Sequence, residues 1–97
     1  MSRLTKKLHC VADFCVIPIG VGPSLSKYIV ETQKILNEAG LTHKLHAKGT
    51  NIEGDWSEVM EAIRKCNVRL HELGVPRINT TIHVGTRTDK EDSIEAM

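Results

Sequence analysis

Residues 8–20, LHCVADFCVIPIG, restrict the fold more than any other part of the chain. The segment is rich in β-branched and apolar residues, which favours a strand, and successive side chains of a strand point to opposite faces. One face carries Cys10, Ala12, Phe14 and Val16. The other carries Val11, Cys15, Ile17 and Ile19, interrupted only by Asp13. A strand that is apolar on both faces is typical of a covered, central position in a sheet.

Apolar residues at helical spacing predict two amphipathic helices. The first follows Pro23, with Ser24 as its N-cap and Gly40 as the left-handed residue that ends it. Its apolar stripe consists of Leu25, Tyr28, Ile29, Thr32, Ile35, Leu36 and Ala39. The second begins at a capping box formed by Asp55 and Glu58. Its seam consists of Trp56, Val59, Ile63, Cys66, Leu70 and Leu73. We expect both stripes to be buried against a sheet.

Three further strands complete the predicted order of elements. Alternation in residues 42–47 and a turn at Lys48 and Gly49 indicate a hairpin whose second arm spans residues 50–53. Residues 77–84 alternate again. The order strand, helix, strand, strand, helix, strand predicts one α+β domain over residues 1–97 with the ferredoxin-like βαββαβ fold. Right-handed crossovers then place both helices on one face of a four-stranded antiparallel sheet.

This arrangement leaves the second face of the sheet without a helix, although the first strand is apolar there too. Contiguous apolar patches of more than a few hundred Å² are uncommon on soluble monomers. Burying about 400 Å² at about 25 cal/mol per Å² would contribute on the order of 10 kcal/mol before association costs. We therefore expect a homo-oligomer, a dimer or tetramer, packed through its sheet faces. The alternative is a monomer with an exposed apolar face.

Composition argues against several classes of partner. The chain has 13 basic and 12 acidic residues and a single Phe, Tyr and Trp. It therefore lacks the basic face and the aromatic platforms of a nucleic-acid binder. No apolar run approaches the roughly 18 residues that would indicate a membrane span, and the basic N-terminus lacks the apolar stretch of a signal peptide. We expect a cytoplasmic protein that binds neither nucleic acid nor membrane.

The cysteines and histidines do not indicate a metal site. Cys10, Cys15 and Cys66 form no CxxC pair, and in the cytosol we expect them to be reduced, buried small hydrophobes. His43 and His46 lie three residues apart on a predicted strand, so they face opposite sides and do not chelate together. We expect no metal and no cofactor.

The sequence contains no recognisable catalytic motif. It has no G-x-S-x-G, no H-E-x-x-H and no P-loop. Residues 20–24, GVGPS, are compatible with anion binding at a helix N-terminus. An acylphosphatase, an enzyme of the same fold class, also needs an arginine in this loop, and residues 21–26 contain none. We therefore predict that the protein is not an enzyme.

Residues 48–56, KGTNIEGDW, are richer in chemistry than a connecting turn requires. A hydroxyl, an amide and a carboxylate, those of Thr50, Asn51 and Glu53, stand between two glycines. One interpretation is structural, with turn-forming side chains and a carboxylate that stabilises the following helix dipole. The other is a small-ligand site, because convergent polar groups in an apolar setting suit a flat ring that bears an amine.

Three segments together resemble the small thiamine-binding protein family. They are VADFCVIPIG at residues 11–20, AKGTNIEGDWSEVM at 47–60 and RINTTIHVGTRTDK at 77–90. The resemblance implies a ferredoxin-like domain that assembles through its sheets and binds thiamine or its hydroxymethylpyrimidine part without catalysis. It assigns Thr50 and Glu53 to the family's Gly-Thr-x-Ile-Glu-Gly motif, and residues 18–20 to its Pro-Ile-Gly turn.

The predicted ligand-binding residues are Asp13, Pro18, Ile19, Gly20, Thr50, Asn51 and Glu53. We hypothesise that Glu53 accepts hydrogen bonds from an aminopyrimidine. Asp13 is a second polar candidate, or alternatively forms an interface hydrogen bond. The predicted function is binding of thiamine or a related pyrimidine by a cytoplasmic homo-oligomer. The alternative is a structural or regulatory oligomerisation module without a small-molecule ligand.

Overall fold

The computed structural model of the protein describes residues 7–22 and 25–89. In chain order the elements are β1 (His9–Ile19), α1 (Ser26–Ala39), β2 (Thr42–His46), β3 (Gly49–Asp55), α2 (Trp56–Glu72) and β4 (Arg77–Gly85). The strands form one sheet in the order β2-β3-β1-β4, and every neighbouring pair is antiparallel. The predicted ferredoxin-like arrangement is confirmed.

β1 is the central strand on which the sheet is built, but its two neighbours cover different lengths of it. β4 pairs with residues 11–19, from Val11 opposite Gly85 to Ile19 opposite Arg77. β3 pairs only with residues 9–14, and its last partner pair is Phe14 with Thr50. Among the described residues, the last five of β1 therefore have a strand neighbour on one side only.

Both helices pack on one face of the sheet, as predicted. Cys10, Ala12 and Phe14 of β1 are each no more than 2% exposed. They form the main core with Ile52 of β3 and with helical residues that include Leu36, Val59, Ile63 and Cys66. A second, smaller cluster of Tyr28, Leu70 and Val75 lies where the two helices approach the end of β1. The even-numbered face of β1 is thus the helix-covered face.

The first helix begins later than the sequence predicts. Leu25 occupies the N-cap position and makes no side-chain capping hydrogen bond; Pro23 and Ser24 lie outside the described residues. Gly40 ends the helix with φ +71°, which confirms the left-handed cap. Within the predicted stripe, Tyr28, Thr32 and Leu36 are buried, whereas the prediction is wrong for Leu25, Ile29 and Ala39, which are exposed.

Asp55 is the N-cap of the second helix, as predicted, but Glu58 contacts Lys7 instead of completing the capping box. Most of the predicted seam is buried. The Asp55 carboxylate accepts a hydrogen bond from the Ser57 amide at 3.2 Å, and it also accepts one from the Leu8 amide. The seam residues Val59, Ile63, Cys66 and Leu70 are buried, together with Ala62, which the spacing did not single out. Trp56 and Leu73 are 40% and 38% exposed, so the prediction is wrong for them. They lie in the first turn and just beyond the last, where less of the sheet is available to cover them.

The helix-free face is more polar than β1 alone suggests. Its neighbours across the sheet are polar: Asn51 and His83 flank Asp13, and Thr81 flanks Cys15. Val11 is only 8% exposed, and its cross-strand neighbour Glu53 contacts His9 at 3.2 Å. Ile17 is 46% exposed and is the main apolar contribution to this surface.

Two of the three thiols are sealed in the core, and all three are free. Burial raises the pKa of the Cys66 thiol to about 11. Burial, helped by the nearby Asp55 carboxylate, also raises the pKa of Cys10 above its ordinary value. Cys15 is only partly buried. The prediction of buried, reduced cysteines therefore describes Cys10 and Cys66 well and Cys15 less well.

The Cys66 thiol is expected to make the fold sensitive to alkaline pH. An unfolded thiol ionises near its ordinary value of 9.0, whereas folded Cys66 stays neutral until about 11. The contribution of the neutral Cys66 thiol to the free energy of unfolding is therefore intact below about pH 9 and is lost as the pH rises through 11. Urea unfolding between pH 8 and 11 should give a steeper loss of stability for the wild type than for Cys66→Ala. Cys15→Ala is the matched control and should follow the wild-type slope; parallel profiles for all three proteins would contradict this account.

Candidate ligand-binding site

A cavity of about 220 Å³ lies on the helix-covered side of the sheet, where β3 stops covering β1. Three elements enclose it: the second half of β1, the first half of α1 and the turn between β2 and β3. The lining is mainly apolar and consists of residues 14–18 of β1, Leu25, Tyr28, Ile29 and Thr32 around α1, and residues 45–50 of the hairpin. Exposed Leu25, Ile29 and Leu45 surround its opening.

The floor of the cavity includes an unpaired strand edge. Cys15, Val16, Ile17 and Pro18 all line it in succession. The Cys15 and Ile17 side chains point to the opposite face of the sheet, so these two residues reach the cavity through their main chain. This stretch pairs with β4 on one side and with no described strand on the other. Its peptide groups are therefore placed to hydrogen-bond a ligand instead of a neighbouring strand.

Gly49 lets the hairpin turn close over β1. A Cβ atom at this position would stand 2.6 Å from the Phe14 carbonyl oxygen and 3.3 Å from the Asp13 Oδ1 atom. The first of these is backbone, which cannot move aside without disturbing the sheet. The turn contacts β1 this closely because residue 49 has no side chain.

One buried hydroxyl faces the cavity from the hairpin. Thr50 is 4% exposed, and its Oγ1 atom accepts a hydrogen bond from Gln33 Nε2 of α1 at 3.1 Å. The Thr32 hydroxyl instead donates to the Ile29 carbonyl at 2.7 Å. Because Gln33 holds Thr50 as an acceptor, the Thr50 proton remains to be donated to a ligand.

His46 fixes the rim of the cavity through both ring nitrogens. Nδ1 accepts a hydrogen bond from the Lys48 amide at 3.2 Å, so the proton of the neutral ring resides on Nε2. Nε2 then donates to Asp13 Oδ1 at 2.7 Å. The imidazole thus connects the turn to β1. His43 contacts the Leu41 carbonyl instead, as the opposite facing of the two histidines requires.

The predicted site residues separate into two groups. Pro18 and Thr50 line the cavity, and Asp13 touches its rim through His46. Asn51 and Glu53 lie on the helix-free face, where Glu53 contacts His9, and neither lines the cavity.

Ile19 and Gly20 also lie outside the cavity. Gly20 has φ +87° and would place a Cβ atom 2.8 Å from Pro76 Cγ, so it has a clear structural role at the end of β1.

Four residues at or beside the cavity were not predicted from the sequence: Tyr28, Gln33, Leu45 and His46. The strand alternation that places Leu45 and Thr50 on the same face of the hairpin could have indicated Leu45 as a neighbour of the site.

Within residues 7–22 and 25–89, no group of three or more His, Cys, Asp or Glu side chains is arranged to hold a metal ion. No described helix is long and apolar enough to span a membrane.

The elements and their order define a small domain with the ferredoxin-like fold. The chain belongs to the thiamine-binding protein family, whose sequence profile matches residues 12–97.

Two relatives illustrate the similarity in sequence. A UPF0045 protein of Synechocystis is 47% identical over 93 residues, covering 96% of this chain and 77% of the relative. One of Eremothecium gossypii is 42% identical over 90 residues, covering 92% of this chain and 86% of the relative.

Solved structures share the fold. A hypothetical protein of Methanocaldococcus jannaschii superimposes with a TM-score of 0.84 at 31% identity, over 91% of this chain and 90% of its own. A putative thiamine biosynthesis/salvage protein of Thermotoga maritima gives a TM-score of 0.76 at 16% identity, over 91% of this chain and 92% of its own. The second likeness is one of fold alone.

Proposed function

We propose that the protein binds thiamine or a related pyrimidine heterocycle in this cavity without transforming it. The observation that carries the proposal is an apolar cavity in which the buried Thr50 hydroxyl can still donate, beside an edge of β1 that no described strand pairs with. Ligand sites typically combine apolar walls with a few fixed polar groups. Membership of the thiamine-binding family supports the same ligand class, as does the description of the Thermotoga maritima structure as a thiamine biosynthesis/salvage protein.

An aminopyrimidine complements the cavity chemically. Its flat faces suit the apolar walls contributed by Phe14, Tyr28 and Leu45. Its edge carries ring nitrogen acceptors beside an exocyclic amine donor, and the free edge of β1 offers peptide N–H and C=O groups in the same plane. The Thr50 hydroxyl supplies one further donor. Ring recognition through a strand edge needs no charged side chain inside the cavity.

The absence of catalysis is part of the proposal. His46, the titratable ring on the cavity rim, has both nitrogens engaged, one by the Lys48 amide and one by Asp13. Proton transfer by this imidazole would require one of these bonds to break. Its arrangement suits a positioning role better than general acid–base chemistry.

We further propose that the protein acts as a cytoplasmic homo-oligomer, a dimer or tetramer that packs through the helix-free face. Ile17 is 46% exposed there, and Cys15 and Ile19 lie on the same strand face. The contacts of Asp13 with His46 and of Glu53 with His9 place polar groups toward β3, and Asn79 and Thr81 place others on the β4 side of this ridge. A second copy packed on this face would bury the ridge, and the polar side chains beside it would contact the same side chains of that copy.

Removing the Thr50 hydroxyl should weaken ligand binding. Isothermal titration calorimetry with thiamine should give an affinity about three- to tenfold lower for Thr50→Val than for the wild type, the size of one hydrogen bond. Thr50→Ser retains the hydroxyl and should bind normally. Thr81→Val, a matched change on the helix-free face, controls for loss of a threonine.

Glu53→Gln decides between the cavity and the site hypothesised from the sequence. A loss of affinity in Glu53→Gln with unchanged binding by Thr50→Val would move the site to the helix-free face. No heat with thiamine, its phosphates or hydroxymethylpyrimidine would contradict the proposed function and favour a structural oligomerisation module.

The assembly proposal makes a separate prediction. Sedimentation equilibrium should give two or four times the monomer mass for the wild type, and Ile17→Glu should shift the protein to monomer by burying a charge in the interface. Val30→Glu is the control, because Val30 is 51% exposed on α1 and should leave the mass unchanged. A wild-type monomer at tens of micromolar would overturn the proposal.

A further inference from the structure

The mouth of the cavity carries positive charge. Lys48 belongs to the lining and sits in the turn that closes over β1. Its amide donates to His46 Nδ1, so the start of its side chain is held at the rim, and the residue is exposed. No described acidic group pairs with Lys48.

A second ammonium lies beside the wall of the cavity. Lys27 Nζ stands 5.0 Å from the ring centroid of Tyr28, and Tyr28 lines the cavity. This cation–π contact places the charge next to the site. Among the described residues Lys27 also makes no ion pair.

The nearby carboxylates are engaged elsewhere. None of the described lining residues is acidic. Asp13 is bound to His46 at 2.7 Å. Glu31, one turn along α1 from Lys27, contacts Arg69 at 3.0 Å and Lys34 at 3.3 Å. The two lysines are therefore not neutralised locally, and the mouth favours an anion over a cation.

We infer that the preferred ligand is a phosphate ester, with its ring in the cavity and its phosphate at the mouth beside Lys27 and Lys48. The inference rests on the proposed function, since it names the chemical form of the ligand for that same site. Thiamine itself carries a cationic thiazolium, which two ammonium groups repel. A phosphate at the end of the molecule reverses the sign of the interaction, and both lysine side chains are long and flexible enough to meet it.

The test is calorimetric titration of the full chain with thiamine, thiamine monophosphate and inorganic phosphate at low salt. The monophosphate should bind about tenfold more tightly than thiamine, as expected for one or two partly solvated ammonium–phosphate contacts. Raising the salt concentration should shrink this preference. Inorganic phosphate alone should bind far more weakly than the ester, because it lacks the ring.

Lys27→Met with Lys48→Met is the decisive variant, since methionine keeps much of the length and removes the charge. The ratio of the affinity for the monophosphate to the affinity for thiamine should fall to about one in this variant. Lys65→Met on α2 is the control and should keep the wild-type preference. A far-ultraviolet circular dichroism spectrum and a thermal midpoint equal to those of the wild type show that the double variant is folded.

The outcomes separate this inference from the function on which it rests. Equal affinities for thiamine and its monophosphate in the wild type, or a preference that survives in the double variant, would overturn the inference and leave the proposed function intact. Inorganic phosphate binding as tightly as the ester would overturn it too, by removing the role of the ring. Failure of every thiamine form to bind would contradict the proposed function itself.

Discussion

The unequal pairing of β1 is the constraint on which the rest of the structure depends. β4 pairs with nine residues of this strand and β3 with six, and the two paired stretches are offset along it. If β3 continued to the end of β1, the strand edge would be closed and the cavity filled. Because the hairpin turns back at Gly49, the last part of β1 presents its peptide groups to the space beneath α1. The cavity is thus a consequence of the register in which β3 pairs with β1.

The two sheet faces have different chemical characters. The helix-covered face holds the core and, at one end, the cavity with Thr50 and the strand edge. The helix-free face carries a short apolar ridge of Cys15, Ile17 and Ile19, with polar side chains beside it. The contact between Asp13, on the helix-free face, and His46, which also lines the cavity, connects the two regions. Changes at this contact therefore reach the cavity rim and the surface proposed for assembly together.

The sequence predicts the fold well because the relevant signals are local. Period-two alternation in β1, helical spacing in α1 and α2, and glycine at helix ends depend only on neighbouring residues. The errors occur where burial depends on another element. Helical spacing assigned Trp56 and Leu73 to the correct stripe but carries no information about how far the sheet extends beneath them. Leu25 and Ile29 are exposed for a related reason, because they stand over the cavity opening.

The site was harder to predict because it depends on pairing between distant segments. Thr50 and Glu53 share one motif and were expected to act together, yet a separation of three residues along a strand sends them to opposite faces. Gln33 reaches Thr50 across 17 residues of sequence, and no local pattern marks that contact. The open edge of β1 likewise follows from where β3 stops pairing, which depends on the position of the hairpin turn relative to β1.

The central claim is that the ligand occupies the cavity beside the unpaired edge of β1. A titration of the ¹⁵N-labelled protein with thiamine, followed by TROSY spectra, tests it most directly. The account predicts the largest amide shift changes at Cys15, Ile17, Gly49 and Thr50. Changes concentrated at Glu53, Asn79 and Thr81, on the helix-free face, with the β1 edge unaffected, would contradict it.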